Sequence, residues 1–274
     1  MGELPLTEIL AFAAAAIAVG GVAGVLAGVF GIGGGAVMVP VFYQALGAIG
    51  VDESVRMHIA VGTSLAIIVP TSLRSFQAHY LRNAVDMALL KSFLISVPAG
   101  VVLASLVAAS ISSGELRAIF ACIAILVALR LILNREHWRI GSEIPGNPVR
   151  GLVGLVIGFL STLMGIGGGV LNNTFMTMFG RPMHQAVATS SGVGVLISIP
   201  GMLGYVWAGW GDPNLPFGST GFVNWIAVAL IIPVTMIAAP LGVRVAHAVS
   251  KRQLEIAFGI FLLIVAARFF YSLT

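Results

Sequence analysis

Gly31-Ile32-Gly33-Gly34-Gly35 recurs as Gly165-Ile166-Gly167-Gly168-Gly169, each copy closing a long apolar run and opening a short one. Outward from these clusters the likeness continues. Met57-His58-Ile59-Ala60-Val61-Gly62-Thr63-Ser64 returns as Met183-His184-Gln185-Ala186-Val187-Ala188-Thr189-Ser190. Pro98-Ala99-Gly100 matches Pro240-Leu241-Gly242, and Val127-Ala128-Leu129-Arg130 matches Val265-Ala266-Ala267-Arg268. The order holds over most of each half while the spacing drifts by several residues, so the loops differ in length. The chain therefore divides into a first five-helix repeat (1–134), a cytoplasmic linker (135–148) and a second five-helix repeat (149–274).

Composition names the solvent. Of 274 residues, 58% are hydrophobic and 9% charged, with a mean hydropathy of +1.05. A soluble domain carries about 25% charged residues because water must wet its surface. This chain cannot cover a watery surface, and lipid is its main solvent. Ten apolar segments follow, near 7–30, 34–50, 58–78, 84–109 and 115–134, then 149–164, 168–180, 185–209, 222–248 and 252–272. The second and seventh are short and joined to their predecessors by glycines rather than charged loops. Irregular backbone at membrane depth is tolerated only where protein or a water-filled cavity surrounds it. The expected fold is an all-α integral membrane protein of about ten transmembrane segments, in two inverted five-helix repeats with glycine-broken helices. The inversion follows from counting: five crossings per half is an odd number, so the second half enters from the opposite face.

Basic residues set the orientation. With the N-terminus outside, the inner face receives Arg74, Arg82, Lys91, Arg130, Arg135, Arg139, Arg150, Arg181, Arg244, Lys251 and Arg252. The outer face receives Arg56, Arg117 and Arg268. This asymmetry puts both termini outside and the linker in the cytoplasm. Trp207, Trp210 and Trp225 flank the outer loop near Asp212 as interfacial anchors, and Trp138 lies on the inner side. The net charge of +4 is spread between apolar runs rather than gathered into a patch, which argues against nucleic acid. Thr7 to Phe30 has no basic stretch before it, so a cleaved signal peptide is not expected. The single cysteine, Cys122, reads as a small packing residue, and no Cys/His cluster suggests a metal or cofactor.

The candidate site grows from the glycines. Gly33, Gly34 and Gly35, with Gly167, Gly168 and Gly169, let the backbone leave helical geometry and free several N–H groups. The helix that follows each cluster presents a partly positive N-terminus, so two such ends meeting at mid-membrane make an anion site without a buried Arg or Lys. The alternative use is close helix packing through small residues. Thr63 and Ser64, with Thr189, Ser190 and Ser191, either donate to an oxyanion or bond a carbonyl one turn back. Asn172 and Asn173 stand where the first half has Met38 and Val39, and two amides in an apolar span need partners, from substrate or from another helix. His58, His184 and Arg74 are gating or coupling candidates, with snorkelling to headgroups as the plain alternative for Arg74. No carboxylate falls mid-span, so a buried proton relay has no candidate.

The paired glycine clusters, each followed by an Ala-Val-x-Thr-Ser stretch (Ala60 to Ser64 and Ala186 to Ser190), resemble the TauE/SafE sulfite exporter family across nearly the whole chain. The resemblance implies transport of sulfite or of C2 organosulfonates such as sulfoacetate, and it transfers no catalytic residue. The partners expected are a small anionic substrate and the lipid bilayer, with homo-oligomerisation left open. A secondary transporter is the leading expectation. An anion channel or a carrier for other organic anions is the alternative, and no intramembrane catalytic pair favours an enzyme.

Overall fold

The structure is a computed structural model that describes residues 14, 17–26, 35–133, 140–247 and 249–272. Gly33 and Gly34 of the first cluster, and Arg135, Trp138 and Arg139 of the linker, lie outside the described residues.

The chain is a helical membrane bundle. Among the described residues it forms α1 (Ile17–Leu26), α2 (Gly35–Ala48), α3 (Glu53–Tyr80), α4 (Met87–Ser92), α5 (Ser96–Ser110) and α6 (Ser113–Leu133). After the linker come α7 (Val149–Leu163), α8 (Gly169–Met178), α9 (Met183–Ala208), α10 (Trp225–His247) and α11 (Lys251–Tyr271). A two-stranded hairpin, β1 (Ser219–Thr220) with β2 (Val223–Asn224), precedes α10. Four helices, α3, α6, α9 and most of α11, are long and apolar enough to cross a bilayer. Trp207, Trp210 and Trp225 are exposed, as anchoring rings need to be.

Helix starts are written in short polar side chains. The Asp52 carboxylate accepts the Ser54 N–H at 2.8 Å and begins α3 five residues before the expected segment. Thr63 and Ser64 therefore lie about three turns inside that helix rather than at its entrance. Ser250 and Gln253 form a reciprocal capping box at α11, and Ser112 with Glu115 does the same at α6. The segment expected as one span over 84–109 is instead two helices, parted by a turn at Phe93–Ile95. The break sits one turn before Pro98, which has no N–H to offer the Leu94 carbonyl. Cys122, expected in packing, is exposed on α6.

Four pairings stand out among the described residues. The long helices α3 and α9 run antiparallel: Gly62 faces Tyr205, Leu65 faces Gly201, and Phe76 faces Gly192. At their crossing the Ser72 and Ser198 hydroxyls are 3.4 Å apart. Helices α6 and α11 are also antiparallel, with Ala128 and Ile132 on Gly259 and Phe120 near Phe269. Helix α5 lies parallel to α7 at backbone contact, where a Cβ on Gly158 would collide with the Val97 carbonyl and one on Gly100 with that of Leu155. Small residues let helices approach this closely in lipid, where hydrophobic expulsion from water supplies no driving force. Likewise α1 lies parallel to α10, Gly20 against Val234 and Gly24 against Ala238.

Candidate functional site

The second glycine cluster is a turn between two helices. Gly165 and Gly168 have φ of +64° and +71°, left-handed values that glycine takes without Cβ strain. From this turn α8 runs only 10 residues, about 15 Å, half the hydrocarbon thickness. Its far end returns to the linker, where the Ile140 N–H donates to the Met178 carbonyl at 2.9 Å. The chain thus leaves the linker along α7 and comes back to it along α8, with the glycines inside. The first cluster meets this turn. A Cβ on Gly35 would stand 2.8 Å from the Gly165 carbonyl oxygen and 2.9 Å from the Ile166 Cα. The start of α2 therefore abuts the turn that leads into α8. Ser64 ties α3 to the same point, its hydroxyl donating to the Gly165 carbonyl at 2.8 Å. A Cβ on Gly167 would stand 3.7 Å from the Gly194 Cα of α9.

Beside this junction lies a chain of three polar side chains. The Asn172 Nδ2 donates to the Ser190 Oγ at 2.7 Å, and that hydroxyl donates to the Asn173 Oδ1 at 2.7 Å. Asn172 and Ser190 are buried, and Asn173 is half-buried. The direction of the chain decides what is left over. Among the described residues the Asn173 amide N–H groups have no acceptor, and the Asn172 Oδ1 is buried with no partner. A buried polar atom left unpaired costs about 1–3 kcal/mol, so a group that bonds it gains that much. The Asn173 amide thus gives a site neutral donors, which hold an anion less tightly than a fixed cation does.

The two threonines have matching partners that the sequence reading missed. The Thr63 hydroxyl accepts the Asn224 N–H at 3.1 Å, and the Thr189 hydroxyl accepts the Asp86 N–H at 2.9 Å. Each partner is itself a cap: the Asn224 Oδ1 accepts the Ala227 N–H, and the Asp86 Oδ1 accepts the Leu89 N–H. Each threonine reaches into the other half of the chain. The signal was only Val85-Asp86 beside Val223-Asn224, two residues long and too short to weigh without coordinates.

The remaining candidates separate. Ser191 bonds back to the Ala188 carbonyl at 2.6 Å. His58 is buried, its Nε2 3.0 Å from the Ala108 carbonyl and its ring 4.6 Å from that of Phe222. It stands beside the Thr63 contact rather than with the asparagines. Arg74 and His184 are exposed. Among the described residues Arg117 is the only buried Lys or Arg. It is committed elsewhere, to the Tyr43 hydroxyl, the Glu53 carboxylate at 2.8 Å and the Ser272 carbonyl.

Comparison with known proteins completes the picture. The family described as sulfite exporter TauE/SafE matches residues 16–269. The chain belongs to the TauE/SafE family. It is 35% identical to a probable membrane transporter protein of Haemophilus influenzae over 260 residues, covering 92% of this chain and 96% of that one. A probable membrane transporter protein of Methanocaldococcus jannaschii is 31% identical, with 88% of each chain covered. A third relative, the probable membrane transporter protein YunE of Bacillus subtilis, is 26% identical over 93% of this chain. No solved structure matches. This TauE/SafE chain is thus a multi-pass membrane transporter rather than an enzyme.

Proposed function

We propose that this chain is a secondary transporter that carries small sulfur-containing anions, sulfite or C2 organosulfonates such as sulfoacetate, across the inner membrane by alternating access. The observation that carries the reading is the junction where the start of α2 abuts the glycine turn into α8. Unbonded N–H groups at the α8 N-terminus face developing negative charge favourably. The Asn173 amide adds neutral donors, and the Asn172 Oδ1, unpartnered among the described residues, can accept from a protonated oxygen or a water. A sulfur oxyanion offers several oxygens to such a set. With no buried cation nearby, the anion is held by dipoles alone, so it can leave again.

The inverted repeat supplies the movement. Ser72 and Ser198 stand at matching places in α3 and α9, and they meet where those antiparallel helices cross. The threonine bonds exchange halves, and so do the α5–α7 and α1–α10 contacts. A two-fold axis in the membrane plane gives that pattern, as inverted repeats do. On this reading Thr63–Asn224 and Thr189–Asp86 are latches at opposite ends of α9. Both are made in this structure, which is what an occluded state requires, and opening one while keeping the other would expose the site to one side.

The test is counterflow in proteoliposomes loaded in turn with sulfite, sulfoacetate, taurine and sulfate, with and without a pH gradient. Saturable exchange of one sulfur anion, lost in Asn172→Ala plus Asn173→Ala, is the expected result. Non-saturating flux with no counterflow would make the protein a channel. Retained exchange in the double variant would move the site elsewhere.

A further inference from the structure

Between α2 and α11 the surface opens into a groove of about 210 Å³, lined by Pro40, Val41, Gln44, Ile264, Val265 and Arg268 together with two phenylalanine rings. Its walls are hydrocarbon along about two turns of α11. Its polar groups are gathered at one end. The Tyr43 ring packs on Phe269 at 5.2 Å, which brings Gln44 to the level of Arg268. That level is the last turn of a membrane-crossing helix, where headgroups begin.

Arg268 has an unmet charge. Among the described residues no carboxylate pairs with it. Its counterpart in the other repeat, Arg130, has Glu255 as a charged neighbour. Carrying the register of the matched capping boxes, Ser112–Glu115 and Ser250–Gln253, along α6 places Arg117 where α11 has Glu255. The neighbouring acid of one end is therefore a cation at the other, and the Glu53 carboxylate there already serves Arg117. An exposed Arg above a lipid-facing apolar groove calls for an anion with a hydrocarbon tail.

We propose that an anionic phospholipid docks in this groove, its phosphate on the Arg268 guanidinium and the Gln44 amide and one acyl chain along Ile264 and Val265. This site is separate from the junction of glycine turns and stands whether or not the sulfur-anion reading does.

The experiment is native mass spectrometry and thermal melting of the detergent-purified chain, titrated with phosphatidylglycerol, phosphatidylcholine or inorganic phosphate. Wild type is expected to bind and be protected by phosphatidylglycerol preferentially. R268Q should lose about fivefold in that affinity, the weight of one basic residue at an anionic lipid surface, while R268K keeps most of it and phosphatidylcholine binding does not change. Equal binding of the two lipids by wild type overturns the proposal, as does an unchanged preference in R268Q. Protection by inorganic phosphate as strong as by phosphatidylglycerol would assign the arginine to a soluble anion and likewise overturn it. Should R268Q not fold, I264W fills the groove with the charges intact. It must then weaken phosphatidylglycerol binding, and unchanged binding counts against the lipid.

Discussion

Thr63 and Thr189 hold matching places in the two repeats and make matching bonds, each accepting the backbone N–H of a helix cap in the opposite half. A short distance away the repeats part company. Met38 and Val39 are buried apolar residues following the first glycine cluster, whereas Asn172 and Asn173 follow the second and build a hydrogen-bonded chain through Ser190. The contrast teaches what a duplication keeps and what it releases. Contacts on or across the crossing of α3 and α9 are used by both halves at once, so a change in one half disturbs the other. Beside the glycine turns the matched side chains differ, Val39 lying against Gly165 while Asn172 and Asn173 join through Ser190, and there one half alone has taken up polar groups.

Substitutions at matched positions test that division, beginning with the largest effect. Gly24 and Gly158 are paired glycines on α1 and α7. A Cβ on Gly158 would stand 2.2 Å from the Val97 carbonyl oxygen, while one on Gly24 would overlap less deeply, 2.9 Å from both the Ala238 Cβ and the Thr235 Cα. Gly158→Val is expected to cost about 3 kcal/mol or more, enough to lose the folded peak in size-exclusion chromatography, because backbone cannot move aside as a side chain can. Gly24→Val should be the milder of the two. An equal loss at both would mean that α1 is as tightly held as α7.

The asparagines come next. Asn172→Leu plus Asn173→Leu should lower anion exchange about tenfold or more with the fold retained, the scale of losing hydrogen bonds to a charged group. Met38→Leu plus Val39→Ile should leave exchange within a few-fold, measured in the same liposomes. Equal losses from the two pairs would show that the repeats share the site evenly.

The threonine bonds should be alike and modest. Thr63→Val and Thr189→Val are each expected to destabilise by about 1 kcal/mol, the usual net value of one hydrogen bond, read as shifts in melting temperature. A large difference between them would break the symmetry argument at its centre.

The smallest effect belongs to Asp52 at the start of α3. Its carboxylate is held below the ordinary range first by the Ser54 hydroxyl and then by the Ser54 N–H, with a smaller pull from Arg56. A depressed folded pKa contributes stability above the unfolded value and loses it as pH falls through the folded one. The small gap between wild type and Asp52→Asn should therefore close as melts move from neutral pH to about pH 3. A gap that persists in acid would mean that the cap acts through shape rather than charge.

Much of the candidate site was legible as residue types. The glycine clusters, the Thr-Ser pairs and the two asparagines stand out because polar and left-handed residues are costly in lipid and need a reason to be there. Their roles were not legible. Ser64 and Ser190 are matched in sequence, yet one serves a glycine carbonyl and the other bridges two amides. His58 and His184 are matched as well, and one is buried while the other is exposed. Burial depends on which helix lies across a position, and hydropathy along a single chain does not record that.

What the sequence by itself determined is the solvent, the helical class, the recurrence of motifs between the halves and the candidate residues for a site, because lipid allows so few ways to satisfy a backbone. Only the tertiary structure decided that the start of α2 abuts the turn into α8 and that each threonine crosses to the other half. Those facts rest on contacts between segments far apart in the chain. In a membrane such contacts are chosen by packing and hydrogen bonding between helices, which leave little trace in the local pattern of either partner.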